Sequence, residues 1–178
     1  MIGLLAFILK IIRIYGLDDT DIFGVEADFT NIFMKYSAPE TMRQWCTDIC
    51  IRISGEIRQG RVNAVKTLIS SAEQFIRENY SDSKLSVETL CAFLHISPSY
   101  FSTTFKRETG TNFVSYLTDL RLKKASDLLK STDDKASVIA HKVGFNEQYY
   151  FSYLFKKHFG VTPYQYRNPQ KLPVGSED

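Results

Sequence analysis

Cysteine is scarce, with three in 178 residues, too few for the disulfide framework that small secreted folds need. A surplus of charge of one sign is missing too. The formal net charge is +2, which excludes a strongly acidic or strongly basic chain. No apolar run reaches the roughly 18–20 residues that span a bilayer, and no alternating apolar–polar pattern of strand length stands out. A Gly-rich phosphate loop and a nucleophile elbow are both absent. His95, His141 and His158 are scattered, without the spacing of metal-ligating histidines or paired cysteines. These absences argue against an enzyme, and the expectation is no catalytic residue, no cofactor and no metal.

What is present is enough for a core. Apolar residues make up 44% and charged residues 24%, which excludes disorder and fits one domain or two small ones. The charge becomes informative when divided along the chain. Residues 1–63 carry seven Lys/Arg against eight Asp/Glu, whereas residues 64–168 carry fourteen against ten, a net of +4. A basic excess confined to that part is a mild pointer to an anionic partner.

The opening segment, MIGLLAFILKIIRIYG, is the most hydrophobic. It has no basic residue before its apolar run and no small-x-small cleavage site after it, so it does not fit a signal peptide. Lys10 and Arg13 make too thin a polar face for an interfacial membrane helix. A core helix, or a helix packed on a neighbouring domain, is expected, and with it the expectation that the chain is part of a longer one. No membrane partner is expected.

From Gly16 onward the chain reads as helices with short punctuation. Ser37-Ala38-Pro39-Glu40 has the form of a capping box, and behind it Met42, Trp45, Cys46, Ile49, Cys50 and Ile53 form one stripe. That helix is expected to end near Arg58, broken by Gly60, with another over about Val62–Asn79. Cys46, Cys50 and Cys91 read as core thiols in a reducing cytoplasm. Ser86 is an expected N-cap for a short helix from Val87 to Leu94. Ser97-Pro98 starts a second helix that stops at Gly110. Asn112 caps a longer one, Phe113 to about Lys130, with an apolar set of Val114, Leu117, Leu120, Ala125, Leu128 and Leu129.

Helix, tight turn and helix in so few residues is the outline of a helix-turn-helix, and the outline recurs. Tyr100-Phe101-Ser102 returns as Tyr150-Phe151-Ser152, Phe105-Lys106 as Phe155-Lys156, Gly110 as Gly160 and Tyr116 as Tyr166, all 50 residues apart. Upstream the offset is 49, with Leu90 matching Ile139 and Ser97 matching Asn146. The second copy is therefore expected to hold one extra residue at the start of its second helix. The fold expected is all-α: two helix-turn-helix units, about 85–110 and 135–160, joined by a linker helix over about 112–131. A helical interdomain or dimerisation segment (1–62) precedes the double unit (63–168), and a flexible tail (169–178) follows.

In such a unit the first helix braces the second, which enters the major groove of DNA. Phe101, Phe105, Phe151 and Phe155 are the expected inward face. Ser99, Ser102, Thr103 and Lys106 then point outward from the first copy, and Gln148, Tyr149, Ser152, Tyr153 and Lys156 from the second. Gln can grip adenine through N6 and N7, and Ser and Thr can read several base edges. The lysines lie where phosphates would run, contacts that position without specifying. Arg121, Lys123 and Lys124 read equally well as a phosphate patch or as solvated helix residues. A linker of about 18 residues is roughly 27 Å long, compatible with the roughly 34 Å between successive major grooves on one face.

Residues from about 64 to 168 resemble the DNA-binding domain of AraC/XylS-type transcription regulators. The resemblance rests on LSVETLCAFLHISPSYFSTTFKRETG, on YLTDLRLKKASDLL and above all on IAHKVGFNEQYYFSYLFKKHFGVTPYQYR. It implies sequence-specific transcription regulation in the cytoplasm, with double-stranded DNA as partner and a second copy of the chain and RNA polymerase as further ones. Carried over by position, the base-facing candidates are Ser99, Ser102, Thr103, Gln148, Tyr149, Ser152 and Tyr153, with Asn146 as helix cap and phosphate contact. The pattern departs at Tyr153, where Arg or Lys is frequent, and at Phe113, where proline is frequent. Residues 1–63 resemble, more weakly, the helical segment before this domain in YesN-like response regulators. An alternative reading follows: the output part of a phosphorylation-controlled response regulator, its N-terminal helices mediating dimer or partner contacts.

Overall fold

The computed structural model of the chain describes residues 2–24, 36 and 38–169, and the regular structure there is helical throughout. The chain divides into two compact units, one up to Lys66 and one from Thr67 onward.

The first unit holds α1 (Ile2–Tyr15), α2 (Asp19–Phe23) and the first part of α3 (Pro39–Asn79). Asp18 caps α2 by accepting from the Thr20 N–H at 2.7 Å. Ile8 and Ile12 of α1 pack with Ile22, Trp45, Ile49 and Ile53. That is one apolar face only: Phe7, Ile14 and Tyr15 of α1 stay exposed. Arg52 ties α2 to α3 by donating to the Ile22 carbonyl at 3.1 Å.

Two expectations for this region are corrected. The helix does not break at Gly60, since α3 runs on as one element of 41 residues. A glycine inside a helix costs about 1 kcal/mol against alanine, but it stops a helix only where it takes up positive φ, and Gly60 does not. Nor is Cys50 a core thiol. It is exposed and Cys46 is half-buried, because each lies one residue, about 100° of rotation, past the buried Trp45 and Ile49. Ser37, expected in the capping box, lies outside the described residues.

The second unit contains the end of α3, then α4 (Val87–Leu94), α5 (Pro98–Thr109), α6 (Phe113–Ser131), α7 (Ala136–Lys142), α8 (Gln148–Phe159) and α9 (Pro163–Arg167). Local chemistry sets its boundaries. Ser86 and Thr89 form a reciprocal capping box on α4, Ser97 accepts from the Tyr100 N–H and Asn112 from the Ser115 N–H. Gly110 and Gly160, 50 residues apart, end α5 and α8 at φ +78° and +80°, a left-handed conformation that side chains with a Cβ resist.

This unit has two cores. Ala72, Ile76, Leu90, Cys91, Phe101, Phe105, Phe113 and Leu117 make the first. Leu122, Ala125, Leu129, Ile139, Ala140, Val143, Phe145, Phe151 and Phe155 make the second. Helix α6 passes through both, its first half in one and its second half in the other. Within it Leu122, outside the expected apolar set, is buried, Leu120 and Leu128 are half-buried against the two cores, and Val114 is 65% exposed rather than in the core. The buried face runs through 113 and 117 in the first core and shifts to 122, 125 and 129 in the second, and Val114 lies about 100° of rotation past Phe113. Arg167 closes the unit by donating to the Leu129 carbonyl near the end of α6, at 3.1 Å.

Candidate nucleic-acid interface

Each half of the second unit presents a short helix, a turn and a longer helix. In the first, residues 95–97 separate α4 from α5, and His95 takes a left-handed conformation at φ +54°. In the second, residues 143–147 separate α7 from α8, and Gly144 holds the matching place at φ +92°. The extra residue expected at the start of the second longer helix thus lies in the turn, ahead of Gln148.

The inward faces of α5 and α8 are built alike. Phe101 and Phe105 are fully buried, and so are Phe151 and Phe155. Burying an aromatic side chain stabilises by roughly 1.5–3 kcal/mol, so two of them at i and i+4 fix which way each helix is turned. Thr104 is buried as well, a position the sequence pattern did not single out. The opposite face follows from that orientation. Ser99, Ser102, Thr103 and Lys106 are exposed on α5, and Gln148, Tyr149, Tyr153 and Lys156 on α8. Tyr149 is the most exposed of the large hydrophobic side chains described, at 86%. Ser152 is half-buried.

Asn146 is exposed, but it does not cap α8. Glu147 occupies the N-cap position and makes no side-chain cap bond. The extra turn residue moves Asn146 one place away from the position that Ser97 holds in the first copy. Tyr150 is about half-exposed and meets Phe145 edge-on at 6.5 Å, in keeping with a packing role.

The cations divide into two kinds. Lys106, Lys123, Lys124, Lys156 and Lys157 are exposed, whereas Arg107 pairs with the adjacent Glu108 at 2.7 Å. Arg121 is engaged within the fold rather than free. Its Nε donates to the Tyr80 carbonyl and its Nη2 to that of Asp82, both at 2.8 Å, and burial pushes its pKa down. Near the end of α8, His158 Nδ1 lies 3.3 Å from the Asp119 carboxylate on α6. Among the described residues there is no cluster of three or more His, Cys, Asp or Glu fit for a metal ion, and no helix long and apolar enough to cross a membrane.

Comparisons with known proteins converge on this unit. The sequence profile of the helix-turn-helix domain matches residues 90–169. The C-terminal domain of the two-component response regulator YesN from Fusobacterium nucleatum is 41% identical. That match covers 59% of this chain and 98% of that domain, with a TM-score of 0.54. The DNA-binding domain of the global transcriptional factor AdpA, solved with a target DNA, is 25% identical with a TM-score of 0.55. It covers 60% of this chain and 97% of that one. The raffinose operon transcriptional regulatory protein of Pediococcus pentosaceus is 34% identical over 111 residues, which are 59% of this chain and 40% of that protein. The chain thus spans well under half the length of such curated relatives, and only 33% of the YisR regulator of Bacillus subtilis.

Proposed function

The chain belongs to the AraC-type family of helix-turn-helix transcription regulators, and from that membership we propose that it binds double-stranded DNA sequence-specifically, with α5 and α8 in adjacent major grooves, to regulate transcription. One observation carries the reading. Two helices in equivalent settings each bury a phenylalanine pair and turn an uncommitted polar face to solvent. Ser99, Ser102 and Thr103 are the base-facing residues of α5, and Gln148, Tyr149, Ser152 and Tyr153 those of α8. Asn146, Lys106 and Lys156 contact phosphates. The neighbour solved with its target DNA supports the partner.

Selection from randomised duplexes tests this, with enriched sites remeasured by anisotropy at two salt concentrations. Two enriched blocks one helical turn apart are expected, with affinity falling at a log–log slope of about −0.9 per phosphate neutralised. Gln148→Ala should cost roughly 1–3 kcal/mol on the best site and little on random DNA. An equal loss on both would remove Gln148 from base reading, and no enrichment at all would refute the function.

A second reading is favoured by the YesN match, which runs over almost the whole of that output domain. Here the chain is the output part of a two-component response regulator in the cytoplasm, and its first unit meets a second copy. RNA polymerase is the further partner. Sedimentation at micromolar concentration tests the dimer, and a purely monomeric chain speaks against it. Transcription in vitro from an enriched site tests the polymerase contact.

A further inference from the structure

The two halves of the second unit have separate cores, so their relative setting depends on what joins them. One connection is α6 itself. The other is a junction around Arg121, which lies between Leu117 of the first core and Leu122 of the second. Its guanidinium holds the Tyr80 and Asp82 carbonyls, in the connection that leads from α3 into the first helix-turn-helix. The same group lies over the Phe145 ring, 5.7 Å from its centre, in the turn of the second. Gly144 in that turn presses against the junction. A Cβ there would stand 2.7 Å from the Tyr80 carbonyl oxygen and 2.9 Å from Arg121 Nε and Nη2. Tyr80 packs against both cores.

A helix fixes the distance between two things attached to it, but a side contact is needed to fix how one half is tilted against the other. Arg121 is the side chain that touches α6, the entry to the first half and the turn of the second. Its guanidinium is also half-buried and donates to two carbonyls, so it is held in place. We propose that Arg121 is a positioning residue that sets the spacing between the two DNA blocks the chain accepts, with Gly144 leaving the room it needs. This rests on the DNA-binding reading. Neither residue contacts a base; both decide specificity through the relative setting of α5 and α8.

Two measurements on the full chain test it. The first uses duplexes carrying both enriched blocks at separations stepped by single base pairs, and duplexes carrying one block. Wild type is expected to favour one separation by about tenfold or more, close to the effect of one good base contact. Arg121→Ala and Gly144→Ala should flatten that preference to under about threefold and leave single-block binding within about twofold. Arg121→Lys, which keeps the charge but not the fork, should fall between and serves if the alanine variant melts below the assay temperature. A retained spacing preference overturns the proposal, as does an equal loss on one-block and two-block duplexes, which would make Arg121 a general core support.

The second measurement needs no DNA. Spin labels at Glu108→Cys and Lys157→Cys, with Cys46 and Cys50 replaced by serine, report the distance between the ends of α5 and α8. One narrow distribution is expected for wild type and a broadened one for the Arg121 variants. Distributions that stay equally narrow overturn the junction's role whatever the DNA data show. A wild type that enriches no sequence overturns the DNA reading and the spacing role with it, even where the distances broaden.

Discussion

Truncating Phe155 to alanine should destabilise the second unit more than truncating Phe105, although the two occupy equivalent positions and both are fully buried. The loss of a buried phenylalanine costs about 3–5 kcal/mol as transfer and cavity terms together. The difference lies in the neighbouring rings. Phe105 meets Phe101 at 5.0 Å and Tyr116 edge-on at 5.4 Å. Phe155 meets Phe151 at 5.6 Å, Phe159 at 4.5 Å and Tyr166 edge-on at 5.3 Å. An aromatic pair contributes about 0.5–1.5 kcal/mol beyond its area, so the additional ring should separate the variants by about 1 kcal/mol. At roughly 4 °C per kcal/mol for a unit of this size, Phe155→Ala should melt about 4 °C below Phe105→Ala. Urea titrations followed by circular dichroism, with Phe→Leu companions in case an alanine variant is unfolded, give the comparison at constant m. Equal costs, or the reverse order with m unchanged, would mean that relaxation around the cavity outweighs ring count.

The remaining predictions are local. Ser97→Ala should cost about 1 kcal/mol, the usual loss of an N-cap, whereas Glu147→Ala at the equivalent position of α8 should stay within a few tenths, since Glu147 makes no cap bond; urea midpoints compare them. Lys142 donates to Asp134 at 2.7 Å and holds that carboxyl below its ordinary range. A lowered folded pKa gives stability that is complete above the unfolded value near 3.9 and is lost as pH falls through the folded one. Asp134→Asn should therefore make the acid loss of stability shallower below about pH 4, read as urea midpoints against pH. Burial, and then the Glu88 charge, push the Cys91 thiol up, so a maleimide should modify exposed Cys50 first and Cys91 only on unfolding. Simultaneous labelling in the native state would contradict the burial of α4.

The second unit was legible because its signals are short in range. Ser86, Ser97 and Asn112 each satisfy an N–H three residues on, and Gly110 and Gly160 stop their helices by a conformation that glycine readily adopts. Such choices depend on neighbours within a turn, so a pattern of residue types carries them. The 50-residue repeat then marked the second copy. Where only a preference was at stake the pattern failed. Gly60 weakens a helix without ending it, and the residues on both sides of it continue α3. Val114 matched the apolar periodicity of α6, yet the buried face of that helix is set by two cores supplied from elsewhere in the chain.

The same division separates what was readable in the interface from what was not. Once Phe101 and Phe105, and Phe151 and Phe155, were assigned inward, geometry left the exposed faces of α5 and α8 no other place to point. Arg121 could not be read that way, because its partners are carbonyls 41 and 39 residues back along the chain. On its own helix it looks like any solvated cation. Gly144 gave the one sequence signal, a glycine in the short turn of the second copy where the first has His95, but nothing in the residue types says that a guanidinium lies against it. If the two proposals hold, block sequence and block spacing have different origins in this chain. On the proposed reading the outward faces of α5 and α8 carry the first, and all of their base-facing residues but the half-buried Ser152 are exposed. The second would then be set by the half-buried contact among three segments, so a change at Arg121 or Gly144 should alter which pairs of blocks are bound while leaving each block's own sequence preference as it was.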